Sequence, residues 1–184
     1  TVVANLAVNF AKIDKKVLLI DGDLRNPTTN RLFDLANTNG IVDILLGKKN
    51  LNDCIKKTKQ ENLYILTGGV IPPNPSEVLA SQKMSEFIKS IRSEYDYIFI
   101  DAPPIGIVSD AAIISLYSDG VIFVVGSNEV DKNLAKLAKE RLESVNANIL
   151  GVILNKFKAD INNEYYSYDY YGQDDTKNKK RKRK

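Results

Sequence analysis

Unbroken apolar runs of strand length alternate with helical stripes along most of the chain. Five such runs, KVLLID (16–21), NLYIL (62–66), YDYIFID (95–101), DGVIFVV (119–125) and NILGVILN (148–155), are rich in β-branched and aromatic residues. Runs of this kind are buried on both faces, as the strands of parallel sheets are. Parallel neighbours need crossovers, and SQKMSEFIKSIRSE, SDAAIISLYS and DKNLAKLAKERLESV carry apolar residues at the helical spacing that would supply them. Residues 1–14 predict a further helix, with Val3, Leu6, Ala7, Phe10 and Ile13 on one stripe. The expected fold class is therefore α/β, a doubly wound, mostly parallel sheet. Residues 28–60 predict short helices packed on an edge, with NTNGI and LGKKNLN as turns. The pattern stops after Lys158, which divides the chain into a core (1–158) and a tail (159–184).

Composition changes this picture only at its end. With 43% apolar and 27% charged residues, 184 positions suit one domain with a sizeable core. The last eight residues, KNKKRKRK (177–184), hold seven of the 26 Lys and Arg, leaving 19 basic against 23 acidic residues elsewhere. A net charge of +3 thus conceals a polybasic end on a mildly acidic body, which points to a partner for the tail rather than for the fold. Cys54 is the sole cysteine and reads as core, and the absence of histidine removes Ser-His-Asp and Cys-His pairs and imidazole-held metals. A single cysteine also favours a reducing, intracellular setting. No apolar run approaches the roughly 18–20 residues that span a bilayer, so membrane contact is expected to be peripheral.

Candidate chemistry sits where the first apolar run ends, in LLIDGDLR. In open α/β sheets the ligand crevice lies outside the carboxyl ends of the strands. Asp21 occupies that end of one strand and Asp101 the same end of another. Two carboxylates there make a hard oxygen site that suits magnesium, with phosphate oxygens and water completing the shell. The competing reading is that such aspartates cap turns or helices. Asp23 and Arg25 extend the acidic end, and Arg25 could pair with phosphate, with a neighbouring subunit, or in a surface salt bridge. No glycine lies in a G-x-x-x-x-G-K-[ST] loop. The chain opens inside a helix of the kind that follows such a loop, so an upstream strand and phosphate loop are expected before Thr1. Without them the 184 residues alone are expected not to turn over ATP.

LLIDGDLR, GGVIPPNPSEVLAS, YIFIDAPP, GVILNKF and the tyrosine cluster EYYSYDYYG together resemble the cytoplasmic domain of the bacterial tyrosine kinases of capsular and exopolysaccharide synthesis. The resemblance covers nearly the whole chain. It implies a P-loop NTPase-like fold of the partitioning-ATPase branch and ATP with Mg2+ as cofactors. It further implies Asp21 as the group that orients or deprotonates the attacking tyrosine, with Asp23 and Asp101 in the magnesium shell. Asp23 and Arg25 join Asp21 as catalytic candidates, and Thr1 and Asn155 are nucleotide-binding candidates, Asn155 for the base. Tyr165, Tyr166, Tyr168, Tyr170 and Tyr171 are the expected phosphorylation sites. A ring-like homo-oligomer, a membrane-embedded polysaccharide co-polymerase as activator, and a cytoplasmic place at the inner face of the membrane follow from the same resemblance. The lysine-rich end is not a hallmark of the family. It is a candidate contact for an anionic membrane surface, with nucleic acid the less expected partner.

Two other functions share these letters. One is a non-kinase ATPase switch like the partitioning and division-site ATPases, and the other an adaptor fragment. The D-x-D-x-R run and five of nine tyrosines within residues 165–171 favour the kinase. Asp110, ahead of AAIISL, reads as a helix cap, and Asn74-Pro75 as cap plus first helical residue. Gly68-Gly69 reads as a turn, and Asn5 as a helix-face residue.

Overall fold

The structure is a computed structural model and describes residues 2–158. Its elements run α1 (Val2–Lys12), β1 (Val17–Asp21), α2 (Thr29–Leu32), α3 (Ile41–Leu45), α4 (Leu51–Cys54), β2 (Ile55–Lys57) and β3 (Leu63–Leu66). They continue with α5 (Pro75–Leu79), α6 (Gln82–Ile91), β4 (Tyr97–Asp101), α7 (Asp110–Ser115), β5 (Val121–Gly126), α8 (Lys132–Ser144) and β6 (Ile149–Asn155). All five expected strands are present, within two residues of their expected bounds, and every crossover helix is found.

β1 is the centre of a four-stranded sheet ordered β2-β3-β1-β4, parallel to both β3 and β4. Its side chains alternate between two cores, which is why the run is apolar throughout. Leu18 and Ile20 face a cluster with Ile41, Met84, Phe87 and Ile91, while Val17 and Leu19 face Ala4, Ala7 and Ala11 of α1. Cys54 is fully buried in the first cluster, as expected of a structural thiol. The small alanines let α1 lie close against the sheet. Its stripe differs slightly from the expected one, because the helix ends at Lys12 and leaves Ile13 63% exposed.

Two features depart from expectation. The segment 28–60 does contain three short helices, but it also holds β2, which pairs antiparallel with β3. Three residues, two of them lysine, give no apolar signal, and lysines are what an edge strand carries to discourage further pairing. The second departure concerns β5 and β6. They form a separate parallel pair with a register shift after Val121. Val121, Phe123 and Ile149 pack with Ala138 and Leu142 of α8, but Ile122, Val124, Leu150, Val152 and Leu154 are exposed. The expected burial on both faces holds for β1 and not for this pair, which packs one face on α8 and leaves these residues of the other exposed.

Candidate active site

The β1–β4 register sets Asp21 directly beside Asp101 at the carboxyl ends of two parallel strands. The ladder continues one residue further, with the Gly22 amide donating to the Asp101 carbonyl at 2.7 Å. A side chain at position 22 would stand 2.7 Å from that same carbonyl oxygen and 2.8 Å from Ile100 Cγ2. Glycine is therefore what allows the two acid-bearing strand ends to close together.

Asp21 is 1% exposed. The chain after it turns back so that the amides of Thr28 and Thr29 donate to Asp21 Oδ2 at 3.0 and 2.9 Å. Its other oxygen, Oδ1, is buried without a partner, as is the hydroxyl of Thr29. A buried carboxylate oxygen without a partner costs free energy, which makes this oxygen a candidate to accept a proton or meet a cation. Burial pushes the Asp21 carboxyl above its usual range and the neighbouring Asp101 adds to this, against the pull of the Thr29 and Thr28 amides and of the nearby Thr29 hydroxyl. Asp101 is also raised, by burial first and by the charge of Asp23. Two adjacent carboxylates that resist ionising together are receptive to a cation or a proton.

Asp23 closes a tight turn, its Oδ1 accepting from the amides of Arg25 (3.2 Å) and Asn26 (2.9 Å). Arg25 is taken up inside the chain. Its Nε donates to Asp110 Oδ2 at 2.7 Å, and its Nη2 to Asp110 Oδ1 at 3.2 Å and to Ser76 Oγ at 2.8 Å. Asp110 is the first residue of α7, not its cap; Ser109 holds the cap position, without a side-chain bond. Asn74 does precede Pro75 at the start of α5, but its side chain donates to Glu77 instead of capping. Gly69 takes φ +80°, as a turn residue there must, and Asn5 is exposed. The loop after Asp101 is held from behind, because Arg141 of α8 donates to the carbonyls of Ile105 and Gly106.

The structure thus sets Asp21 beside Asp101 at adjacent strand ends, with Asp23 near enough for its charge to act on Asp101 and with Arg25 bonded to Asp110 and Ser76. Asn155 ends β6 beside Gly126, half-buried, in the two-stranded sheet. Thr1, the tyrosine cluster and the polybasic end lie outside the described residues. Sequence reasoning misses Ser76 and the Thr28 and Thr29 amides; the signal for Asp110 is that it is the one acid heading an otherwise apolar helix.

Asp101 at its strand end and Asp23, whose charge acts on it, offer carboxylate oxygens that suit magnesium, a hard cation that takes few protein oxygens and keeps phosphate and water ligands. Among the described residues no group of three or more acidic, histidine or cysteine side chains could hold an ion by itself.

The family model described as an AAA domain matches residues 1–161. The putative tyrosine-protein kinase CapB of Staphylococcus aureus is 40% identical over 171 residues, covering 93% of this chain and 74% of that protein. This chain belongs to the bacterial tyrosine-protein kinases. The crystal structure of the chimerical protein CapA2B2 superposes with a TM-score of 0.83 at 38% identity, covering 85% of this chain and 70% of that one. The septum site-determining protein MinD of Pyrococcus horikoshii, solved with Mg-ADP, is further away, at TM-score 0.68 and 31% identity over 83% of this chain and 63% of that one. The kinases therefore share their P-loop α/β fold with a division-site protein, and the sequence places this chain on the kinase side.

The Arg25–Asp110 pair gives the kinase domain a defined acid response. Burial alone would raise the Asp110 carboxyl, but hydrogen bonds from Arg25 and Ser76 outweigh it and hold the group below the ordinary carboxylate range. A depressed folded-state pKa contributes stability that is fully present above the unfolded value, near 3.9, and is lost as pH falls through the folded one. Arg25→Met is therefore less stable than wild type at pH 7, and the difference narrows below about pH 4. Urea unfolding at pH 7 and pH 3 checks this; a gap that does not change with pH would contradict it.

Proposed function

We propose that the protein is an ATP-dependent protein-tyrosine kinase that phosphorylates the tyrosine cluster of a sister subunit and thereby regulates capsular or exopolysaccharide synthesis. The observation that carries the chemistry is the Asp21–Asp101 pair at adjacent strand ends, with Asp21 Oδ1 buried and unpartnered.

Phosphoryl transfer asks mainly for positioning and charge neutralisation, with a base to take the phenolic proton. A tyrosine hydroxyl ionises near pH 10 and needs that help at neutral pH. Asp21 suits the base. Its Oδ2 is fixed by two backbone amides, so the carboxylate cannot rotate away, and Oδ1 is left to accept the proton. Burial makes it a stronger base than a solvated aspartate. Asp101 and Asp23 would hold magnesium, which when bound neutralises phosphate charge. Thr1 and Asn155 serve nucleotide binding, Asn155 at the base.

The acceptors are Tyr165, Tyr166, Tyr168, Tyr170 and Tyr171, which lie seven or more positions beyond the last described residue. Transfer between subunits fits a ring of copies at the inner face of the membrane, working with a membrane-embedded activator. Mixing two forms of the intact protein tests this. One carries Asp21→Asn with its tyrosines intact, and the other is active with all five tyrosines changed to Phe. The expected result is phosphotyrosine on the Asp21→Asn copy. Self-labelling of wild type with no label on that copy would show transfer within one chain.

A further inference from the structure

Asp110 is buried and charged, yet nothing in the proposed chemistry uses it. It accepts from Arg25 through both carboxylate oxygens and from Ser76 Oγ at 2.6 Å. Ser76 Oγ in turn accepts from Arg25 Nη2. The three residues come from three different strand-end connections: Arg25 follows β1, Ser76 follows β3 and Asp110 follows β4. The node they form ties together the segments that follow these three strands. It is one-sided in exposure, because the Arg25 side chain keeps 41% of its surface in solvent while that of Asp110 keeps none.

Arg25 also touches the site through its backbone. Its amide is one of the two that hold Asp23 Oδ1. The guanidinium fork therefore fixes the residue whose amide fixes the Asp23 carboxylate, and a planar fork on a carboxylate restricts both position and orientation. We infer that Asp110 and Ser76 are positioning residues, which anchor Arg25 within its own chain and through its amide set the Asp23 carboxylate for the nucleotide-bound cation. This inference rests on the reading of Asp23 as part of the magnesium shell. On this account Arg25 is a strut between loops and does not read the transferred phosphate.

The test uses the intact protein with ADP and Mn2+ as a spectroscopic substitute for magnesium. Electron paramagnetic resonance gives Mn2+ affinity at saturating ADP, and calorimetry with a chelator gives ADP affinity without metal. Loss of the partners that orient a metal ligand typically weakens the metal about 10- to 100-fold. Because the strut acts through one intermediate residue, Asp110→Asn is expected near the lower end, about 10-fold, with metal-free ADP affinity unchanged. Arg25→Lys, which keeps the charge but loses the fork, should match it, and the double variant should be no worse than either single one. A residue with a merely structural role would lower thermal stability without moving Mn2+ affinity. Should Asp110→Asn fail to fold, Arg25→Lys and Ser76→Ala supply the same readout from the exposed side of the node. Wild-type Mn2+ affinity in the folded variants would overturn the inference. So would a loss of metal-free ADP affinity in Arg25→Lys, since that would place Arg25 on phosphate. If the wild type bound neither ADP nor Mn2+, the underlying reading of the site would fail instead.

Discussion

In the intact protein, Asp21→Asn is expected to lower the rate of tyrosine phosphorylation about 10²- to 10⁴-fold and to leave nucleotide affinity nearly unchanged. The substitution is well suited to the geometry. An asparagine carbonyl can accept the Thr28 and Thr29 amides as Asp21 Oδ2 does, so the turn that covers β1 keeps its hydrogen bonds. The amide nitrogen then replaces the unpartnered Oδ1, and an amide nitrogen cannot take a phenolic proton. Asp101→Asn and Asp23→Asn should behave differently, with weaker binding of the magnesium nucleotide as the main effect. Calorimetry beside initial rates separates the two classes. Turnover intact in Asp21→Asn, or Mg-nucleotide affinity unchanged in all three variants, would refute the assigned roles.

Gly22→Ala is expected to damage both stability and activity. The added methyl group meets the Asp101 carbonyl at 2.7 Å, Ile100 Cγ2 at 2.8 Å and Ile114 Cδ1 at 3.0 Å. The first of these is backbone, so the clash cannot be relieved by a rotamer change alone; β1 and β4 must separate at their carboxyl ends. Overpacking of this kind costs about 1–3 kcal/mol. For a domain of this size each kcal/mol lowers Tm by about 2–4 °C. The same movement parts Asp21 from Asp101, and a displacement on the order of 1 Å at a reacting centre costs about 100-fold in rate. Thermal melts and phosphorylation rates of one preparation check both effects. Wild-type turnover in a destabilised Gly22→Ala protein would show that the strand-end register is not what positions the carboxylates.

The parts of this site that are legible in the sequence are those that rest on strand ends. An apolar run that terminates in Asp can be recognised by eye, and the runs ending in Asp21 and Asp101 both do so, which is enough to predict that the two carboxylates meet once the strands pair in parallel. Asp110 is legible only as a local feature. Its partner Arg25 is 85 residues away, and an aspartate at a helix start serves equally well as a cap when that pairing is unknown. The Thr28 and Thr29 amides leave no trace at all, because a backbone donor has no letter. Among the strands, β2 escapes because IKK carries no run, and the exposure of Leu150, Val152 and Leu154 escapes because apolar letters report propensity rather than what packs on them. Shared fold cannot choose between kinase and ATPase switch; D-x-D-x-R and the tyrosine cluster point to the kinase, and identity to CapB agrees.

The most direct measurement of whether this protein is a tyrosine kinase is the fate of the γ-phosphate. The intact protein is incubated with magnesium and ATP labelled in that group, and the label is divided between protein and inorganic phosphate while phosphopeptides are mapped. The expected result is phosphotyrosine in peptides spanning residues 165–171, lost in Asp21→Asn. Release of the label entirely as inorganic phosphate, with no phosphotyrosine on the protein, would contradict it and assign the fold to an ATP-driven switch.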